Sequence, residues 1–240
     1  MKELKAYHGS PDLKAKYLAR VRQHREADEL VKGKYWEQGK GCAVGCTLEE
    51  RFAEARHAAY ETDLGIPVAL AHIEDNIFEN LPNAAAQLWP ERFLDAIRPG
   101  ADLTGVADKF MLAVLVDKKH GCVRHADEQG RRAIMAVAVL LRRKIAGKTI
   151  TAEEWTAAAA RASSAARASY AASFVASYAA RAAKYAAEAA AEHASFAAEH
   201  ASFAEAASFA AAPASFAAAP AYAAATNWQA DTLIDLLKAA

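Results

Sequence analysis

The chain of 240 residues lacks an excess of charge of either sign, because 29 lysine and arginine residues balance 29 aspartate and glutamate residues. A balanced charge excludes a global field that draws the protein to nucleic acid or to an anionic membrane. Cysteine is also scarce, and three cysteines do not make a disulfide framework. No N-terminal segment combines a basic start with an apolar run, as a signal peptide would. We therefore expect a soluble protein of the reducing cytoplasm.

Strand patterns and uninterrupted apolar runs are missing as well. No stretch alternates apolar and polar residues with β-branched enrichment, and only 11 glycines are present, so we predict an all-α fold. Without a predicted strand there is no dinucleotide or phosphate fingerprint, and no cofactor is expected. The uncharged run over residues 206–225 has the length of a membrane span. Because alanine is nearly neutral in transfer and two prolines interrupt this run, no membrane span is expected.

Alanine usage divides the chain into two regions. Residues 1–148 have the mixed composition of a globular domain, whereas alanine supplies 38 of the 69 residues from 157 to 225. Alanine has the lowest helix cost, and aromatic residues recur among the alanines at spacings that return to one helical face. We predict a helical domain over 1–148 and an array of closely packed antiparallel helices over 149–240, which ends in an amphipathic helix. The rings of such an array favour a homo-oligomer.

Local capping signals place the starts of three helices. Ser10 and Pro11 supply a serine cap and a proline at the first helical position, and apolar residues then recur at helical spacing until Gly33. Thr47 is followed three residues later by a glutamate, which is the spacing of a capping box, so a second helix is expected to begin at Thr47. The same spacing at Thr151 predicts the start of the alanine-rich helices.

The segment between the first two predicted helices is the strongest candidate site. Three glycines within seven residues let the backbone approach a ligand closely, and Cys46 directly precedes the expected helix start. Free N–H groups and the helix dipole at such a start favour an anion and lower the pKa of a thiol. We therefore predict that this loop binds a small anion, with Lys40 adding positive charge. The expected ligand-binding residues are Lys40, Gly41, Cys42, Gly45, Cys46 and Thr47.

The same loop offers a catalytic alternative. In that interpretation Cys46 or Cys42 is the thiolate nucleophile of a hydrolase or transferase, and His8 or His72 is its base. No complete catalytic set is visible in the sequence, and more than a third of the chain is repeat. Binding is therefore the favoured class and catalysis the alternative.

Metal binding is a third interpretation of the loop. Cys42 and Cys46 have a CxxxC spacing, but zinc needs two more ligands, for which His8, His57 or His72 could compete. No second paired cluster is visible, so no metal ligand is assigned. Acidic residues of two segments could converge on the loop near Cys46, although surface positions are the commoner outcome for such charges. These residues are Glu61, Asp63, Glu74 and Asp75.

Several motifs resemble uncharacterised proteins of bacteriophages and prophages. The motifs are YHG at 7–9, AKYLARVR at 15–22, GKGCAVGC at 39–46, LGIP at 64–67, GADL at 100–103 and QADTLIDLL at 229–237. The alanine-rich tail by itself is similar to predicted bacterial immunity proteins. The resemblance implies an accessory role for a mobile element inside a bacterial cell. We expect the protein to bind a host protein or a small anionic ligand, and so to interfere with a host pathway or defence.

Overall fold

The computed structural model describes residues 4–170, 180, 182–187, 209 and 219–240. Over these residues the fold is all-α, as predicted, with one two-stranded hairpin. Among them no helix combines the length and the apolar character needed to cross a membrane. The helices are α1 (Pro11–Glu26), α2 (Ala43–Leu48), α3 (Glu50–Ala55), α4 (Ala59–Leu64), α5 (Val68–Asn80), α6 (Asn83–Ala96), α7 (Val106–Val116), α8 (Glu128–Ile145), α9 (Ala152–Tyr170) and α10 (Ala219–Lys238). The strands are β1 (Trp36–Glu37) and β2 (Lys40–Gly41).

The chain forms two compact units. The first unit comprises Met1–Val106 and Ala230–Ala240, and the second comprises Ala107–Gln229. The change in composition near residue 148 therefore falls inside the second unit. The predicted aromatic stripe and antiparallel array fall largely outside the described residues.

The first unit has a core built from large side chains. Helix α1 packs on α2 and α6, and α5 packs on α2, α4 and α6. The largest fully buried side chains of this unit include Tyr7, Tyr60, Phe78, Trp89 and Phe93. Burial of such side chains is the main favourable contribution to folding.

Helix α1 begins where the sequence predicts. The Ser10 hydroxyl accepts a hydrogen bond from the Leu13 N–H at 3.2 Å, and Pro11 is the first helical residue. The helix ends at Glu26, however, and not at Gly33. Two residues later Asp28 has a φ of 56°. This left-handed conformation cannot continue a right-handed helix, so the chain turns away there.

The predicted start of the second helix at Thr47 is wrong. Helix α2 begins at Ala43, and the Cys42 sulfur accepts the N–H of Gly45 as its cap. Thr47 is inside this helix, and its hydroxyl donates to the carbonyl oxygen of Ala43 at 2.8 Å. A threonine hydroxyl can bond the backbone four residues earlier in a helix as well as cap one, and the sequence spacing does not distinguish the two.

The second unit confirms the capping box at Thr151. The Glu154 N–H donates to the Thr151 hydroxyl at 3.2 Å, and the Thr151 N–H donates to the Glu154 carboxylate at 2.9 Å. Within this unit α8 packs on α9, and Asp127 caps α8 by accepting the Gly130 N–H at 2.7 Å.

Candidate functional site

The glycine- and cysteine-rich segment folds as a hairpin strand that runs directly into α2. Strand β2 pairs antiparallel with β1, so that Trp36 lies opposite Gly41. The turn between the strands has positive φ at both Gln38 and Gly39, the conformation that suits a two-residue hairpin. Gly41 also exchanges hydrogen bonds with the preceding loop, since its N–H donates to the Glu29 carbonyl at 3.0 Å.

Two glycines of this segment face the backbone of the same chain. A Cβ atom built on Gly45 would lie 1.5 Å from the carbonyl oxygen of Tyr35, and one on Gly41 would lie 2.0 Å from the same atom. Contacts this short are impossible for real side chains, so both positions require glycine. The close approach predicted for a ligand is thus made by the chain itself, which is the physical reason for these glycines in the motif.

The other predicted ligand-binding residues of the loop have partners within the protein. The exposed Lys40 lies 3.5 Å from the carbonyl oxygen of Asp28. The buried Cys46 thiol donates to the Gly41 carbonyl at 3.3 Å. Thr47 is fully buried and bonds its own helix. None of these three contacts points to an anion.

The lowered pKa predicted for Cys46 is wrong. Burial raises the pKa of the Cys46 thiol to about 12. The residue lies inside α2 and not ahead of its first turn, so it does not gain from the free N–H groups that would stabilise a thiolate. Cys46 is therefore a buried, protonated thiol at neutral pH.

Cys42 is also held as a thiol. Burial raises its pKa far above the ordinary range, and the nearby Asp75 carboxylate raises this pKa further. The N–H of Gly45 acts in the opposite direction but more weakly. A negatively charged neighbour disfavours a thiolate, so Cys42 does not supply a free nucleophile at neutral pH.

The two predicted bases lie in different surroundings. His8 is exposed, and its Nε2 atom lies 3.1 Å from the carbonyl oxygen of Thr62. His72, on α5, stacks on His57 with 3.8 Å between the ring centroids and 17° between the planes. His8 therefore contacts α4, whereas His72 of α5 is part of a stacked pair with His57.

A cluster that the sequence did not assign joins Cys42 to two carboxylates of α5. One ligand atom from each of Cys42, Asp75 and Glu79 lies within 4.8 Å of the other two. Asp75 and Glu79 are four residues apart, so they occupy the same face of the helix. Of the acidic residues that could converge near Cys46, Asp75 lies beside the other cysteine of the loop, Cys42. Glu79 was not assigned, and its spacing of four residues from Asp75 was the available signal.

Hydrogen bonds fix both carboxylates but leave one oxygen atom unused. Asp75 Oδ2 lies 3.2 Å from His57 Nε2, and Glu79 accepts the N–H of Gly33 at 3.0 Å with each oxygen. Asp75 Oδ1 is buried and has no hydrogen-bond partner. Burial raises the pKa of Glu79. A buried oxygen without a donor is costly, so this atom marks a place where a positive group would be stabilising.

An aromatic wall borders the histidine that holds Asp75. Tyr35 stacks on Phe52 at 4.8 Å between centroids, and both rings are T-shaped to His57, with centroid distances of 5.8 and 5.7 Å. Tyr35 is 53% exposed. The wall thus connects the buried cluster to the surface of the first unit.

The basic residues of α1 do not form a free anion site. Arg22 and Arg25 both pair with Glu91, at 2.6 and 2.8 Å. Arg20 pairs with Glu49 at 3.2 Å. Acidic residues of the same unit therefore pair with these three arginines of α1. Their positive charges are balanced in the folded protein.

We expect iodoacetamide to modify the cysteines of the native protein at least about 100-fold more slowly than those of the urea-unfolded chain. Burial excludes the reagent, and the raised pKa values remove the thiolate that reacts. Peptide mapping after timed labelling would measure each rate. A rate for Cys42 or Cys46 equal to that of the unfolded chain would restore the thiolate alternative.

Searches against models of protein families, against curated proteins and against solved structures found no match to this chain.

Proposed function

We propose that the protein acts by binding, and that its first unit binds a cation at the cluster formed by Cys42, Asp75 and Glu79. The observation that carries this proposal is the Asp75 carboxylate, which contributes an oxygen to the cluster of three ligand atoms and whose Oδ1 atom is buried without a hydrogen-bond partner. A bound cation would compensate the cost of burying that charge.

The charges around the cluster favour a cation over the small anion expected from the sequence. Two carboxylates, those of Asp75 and Glu79, lie beside Cys42. The ammonium group of Lys32, whose charge acts on Glu79, donates to the carbonyl oxygen of Leu81. An anion placed beside Asp75 and Glu79 would be repelled by both.

The cysteine chemistry supports binding over catalysis. A thiolate nucleophile needs a lowered pKa or an adjacent base. Burial raises the pKa of both Cys42 and Cys46, and the Asp75 carboxylate raises the pKa of Cys42 further. As a ligand, in contrast, Cys42 needs only a positive charge beside it to lose its proton.

The biological part of the proposal rests on the resemblance to bacteriophage proteins. It assigns the chain an accessory role for a mobile element in the bacterial cytoplasm, with a host protein as partner and interference with host defence as the result. Self-association belongs to the same part of the proposal. A sedimentation mass near 25.7 kDa would remove self-association.

Cation binding is tested by thermal unfolding of chelator-treated protein in the presence of Zn²⁺, Mg²⁺, Ca²⁺ or spermidine. At 100 times the dissociation constant a ligand adds about 2.7 kcal/mol of stability. For a chain of this length we expect at least one of these cations to raise the Tm by about 5 to 10 °C. The double variant Asp75→Asn, Glu79→Gln should lose that shift.

Glu61→Gln is the matched control, since Glu61 is an exposed carboxylate of the same unit. It should keep the full shift. If none of the four cations stabilises the wild-type protein, or if the double variant responds as the wild type does, the proposed function is wrong.

A further inference from the structure

We infer that the cluster is a metal site for a thiophilic divalent ion of the zinc and cobalt type, with the sulfur of Cys42 as one ligand and carboxylate oxygens of Asp75 and Glu79 as two others. This inference rests on the proposed function and names its ligand. The three ligand atoms lie within 4.8 Å of one another, and two elements distant in sequence supply them.

The donor set selects the kind of ion. Magnesium and calcium prefer oxygen ligands alone, whereas zinc and cobalt accept sulfur together with carboxylate oxygen. As the sulfur–metal bond forms, the thiol proton of Cys42 passes to solvent. The positive ion then stabilises the negative charge of the Cys42 thiolate. The two carboxylates of the cluster supply no such positive charge.

The spacing of the three ligand atoms can be reached from a tetrahedral site by a small movement. Ligand atoms at ordinary zinc distances are about 3.3 to 3.5 Å apart in a tetrahedral site, so distances within the cluster would shorten by at most about 1.5 Å on binding. The bond from Asp75 to His57 uses Oδ2, so Oδ1, which has no hydrogen-bond partner, can bind an ion while that bond is kept. The interaction of the Cys42 thiol with the Asp75 carboxylate is replaced when the sulfur loses its proton and binds the ion. Glu79 keeps free lone pairs while it accepts the N–H of Gly33.

His57 has a positioning role in this arrangement. Its Nε2 atom lies 3.2 Å from Asp75 Oδ2, so the carboxylate is oriented by one oxygen and free at the other. Hydrogen bonds from an outer group are a common means of orienting a metal ligand. Three protein ligands leave one tetrahedral position open, the arrangement found where a metal binds water or another exogenous ligand.

The inference is tested by titrating the chelator-treated full chain with Co²⁺ and recording its absorption spectrum. A cobalt–thiolate bond gives a charge-transfer band in the near ultraviolet, which carboxylate ligands do not produce. We expect one equivalent of Co²⁺ to produce this band, and Zn²⁺ to displace the cobalt and abolish it.

Cys42→Ser should abolish the band, and Cys46→Ser should retain it. Serine is a favourable helix cap, so the first variant keeps the bond from Gly45 that the sulfur now accepts. Cys46 is the matched control, because it is an equally buried thiol of the same helix that bonds Gly41 and lies outside the cluster. Glu79→Gln, which leaves the sulfur in place, should weaken Co²⁺ binding at least about tenfold.

The outcomes separate this inference from the proposed function. A charge-transfer band that persists in Cys42→Ser overturns the assignment of the sulfur ligand. Stabilisation by Mg²⁺, Ca²⁺ or spermidine without any cobalt–thiolate band overturns the inference and leaves cation binding intact. Absence of both the band and every thermal shift overturns both.

Discussion

Gly45→Ala is expected to destabilise the folded protein by about 3 kcal/mol or more, a larger loss than most substitutions cause. The added methyl group would lie 1.5 Å from the Tyr35 carbonyl oxygen, an atom of the backbone that cannot rotate away. Either α2 or the hairpin must therefore shift. Urea denaturation of metal-free protein, followed by circular dichroism, measures the loss.

Gly39→Ala is the control for the Gly45 substitution. It replaces a glycine of the same motif whose positive φ, and not close packing, favours glycine. Gly39 has a φ of 80°, and a Cβ there would meet open space. The expected loss of stability in Gly39→Ala is therefore only the cost of placing a residue with a Cβ atom in the left-handed conformation, about 1 to 2 kcal/mol. If Gly45→Ala were as stable as the wild type and lost only cation binding, the glycine would serve a ligand and not the packing of the chain.

Trp89→Ala is expected to cost about 3 to 5 kcal/mol, the range for removing a large buried aromatic side chain. Trp89 is 0% exposed, packs on Phe93, and donates its indole N–H to the carbonyl oxygen of Glu74 at 2.9 Å. The substitution leaves both a cavity and a buried carbonyl without its donor. Chemical denaturation with far-ultraviolet circular dichroism as the signal measures the change.

The neighbouring Leu88→Ala variant is the matched control for Trp89. Leu88 lies on the same helix but is 48% exposed. Its truncation should change stability by no more than about 0.5 kcal/mol. Equal losses at the two positions would contradict the assignment of the Trp89 face of α6 to the core. Because Trp89 bonds the backbone of α5, the Trp89→Ala variant should also bind Co²⁺ less tightly.

The sequence was most informative where structure depends on a few adjacent residues. The caps at Ser10 and Thr151 are confirmed, because the hydroxyl and the N–H that it bonds are three residues apart in the chain. The same signature failed at Thr47, where a second local bond, to Ala43, competes with capping. Local patterns therefore identify helices well but do not always distinguish a helix start from a helix interior.

The candidate site was only partly predictable from the sequence. The GKGCAVGC segment stood out, but Gly45 is explained by Tyr35, a residue of another segment that no spacing rule connects to it. The sequence offered convergence of acidic residues near Cys46 only as the less common alternative to surface positions, and in the structure Asp75 lies beside Cys42. Glu79 received no assignment, since a carboxylate on a helix is usually a solvated side chain.

By itself the sequence determined the helical class of this chain, the caps of α1 and α9, and the absence of a net charge. These properties depend on composition and on contacts between near neighbours. Only the tertiary structure decided which cysteine meets the carboxylates of α5, and whether a thiol at that position is ionised. Both depend on the packing of α2 against α5, which removes water from groups 33 and 37 positions apart in the chain.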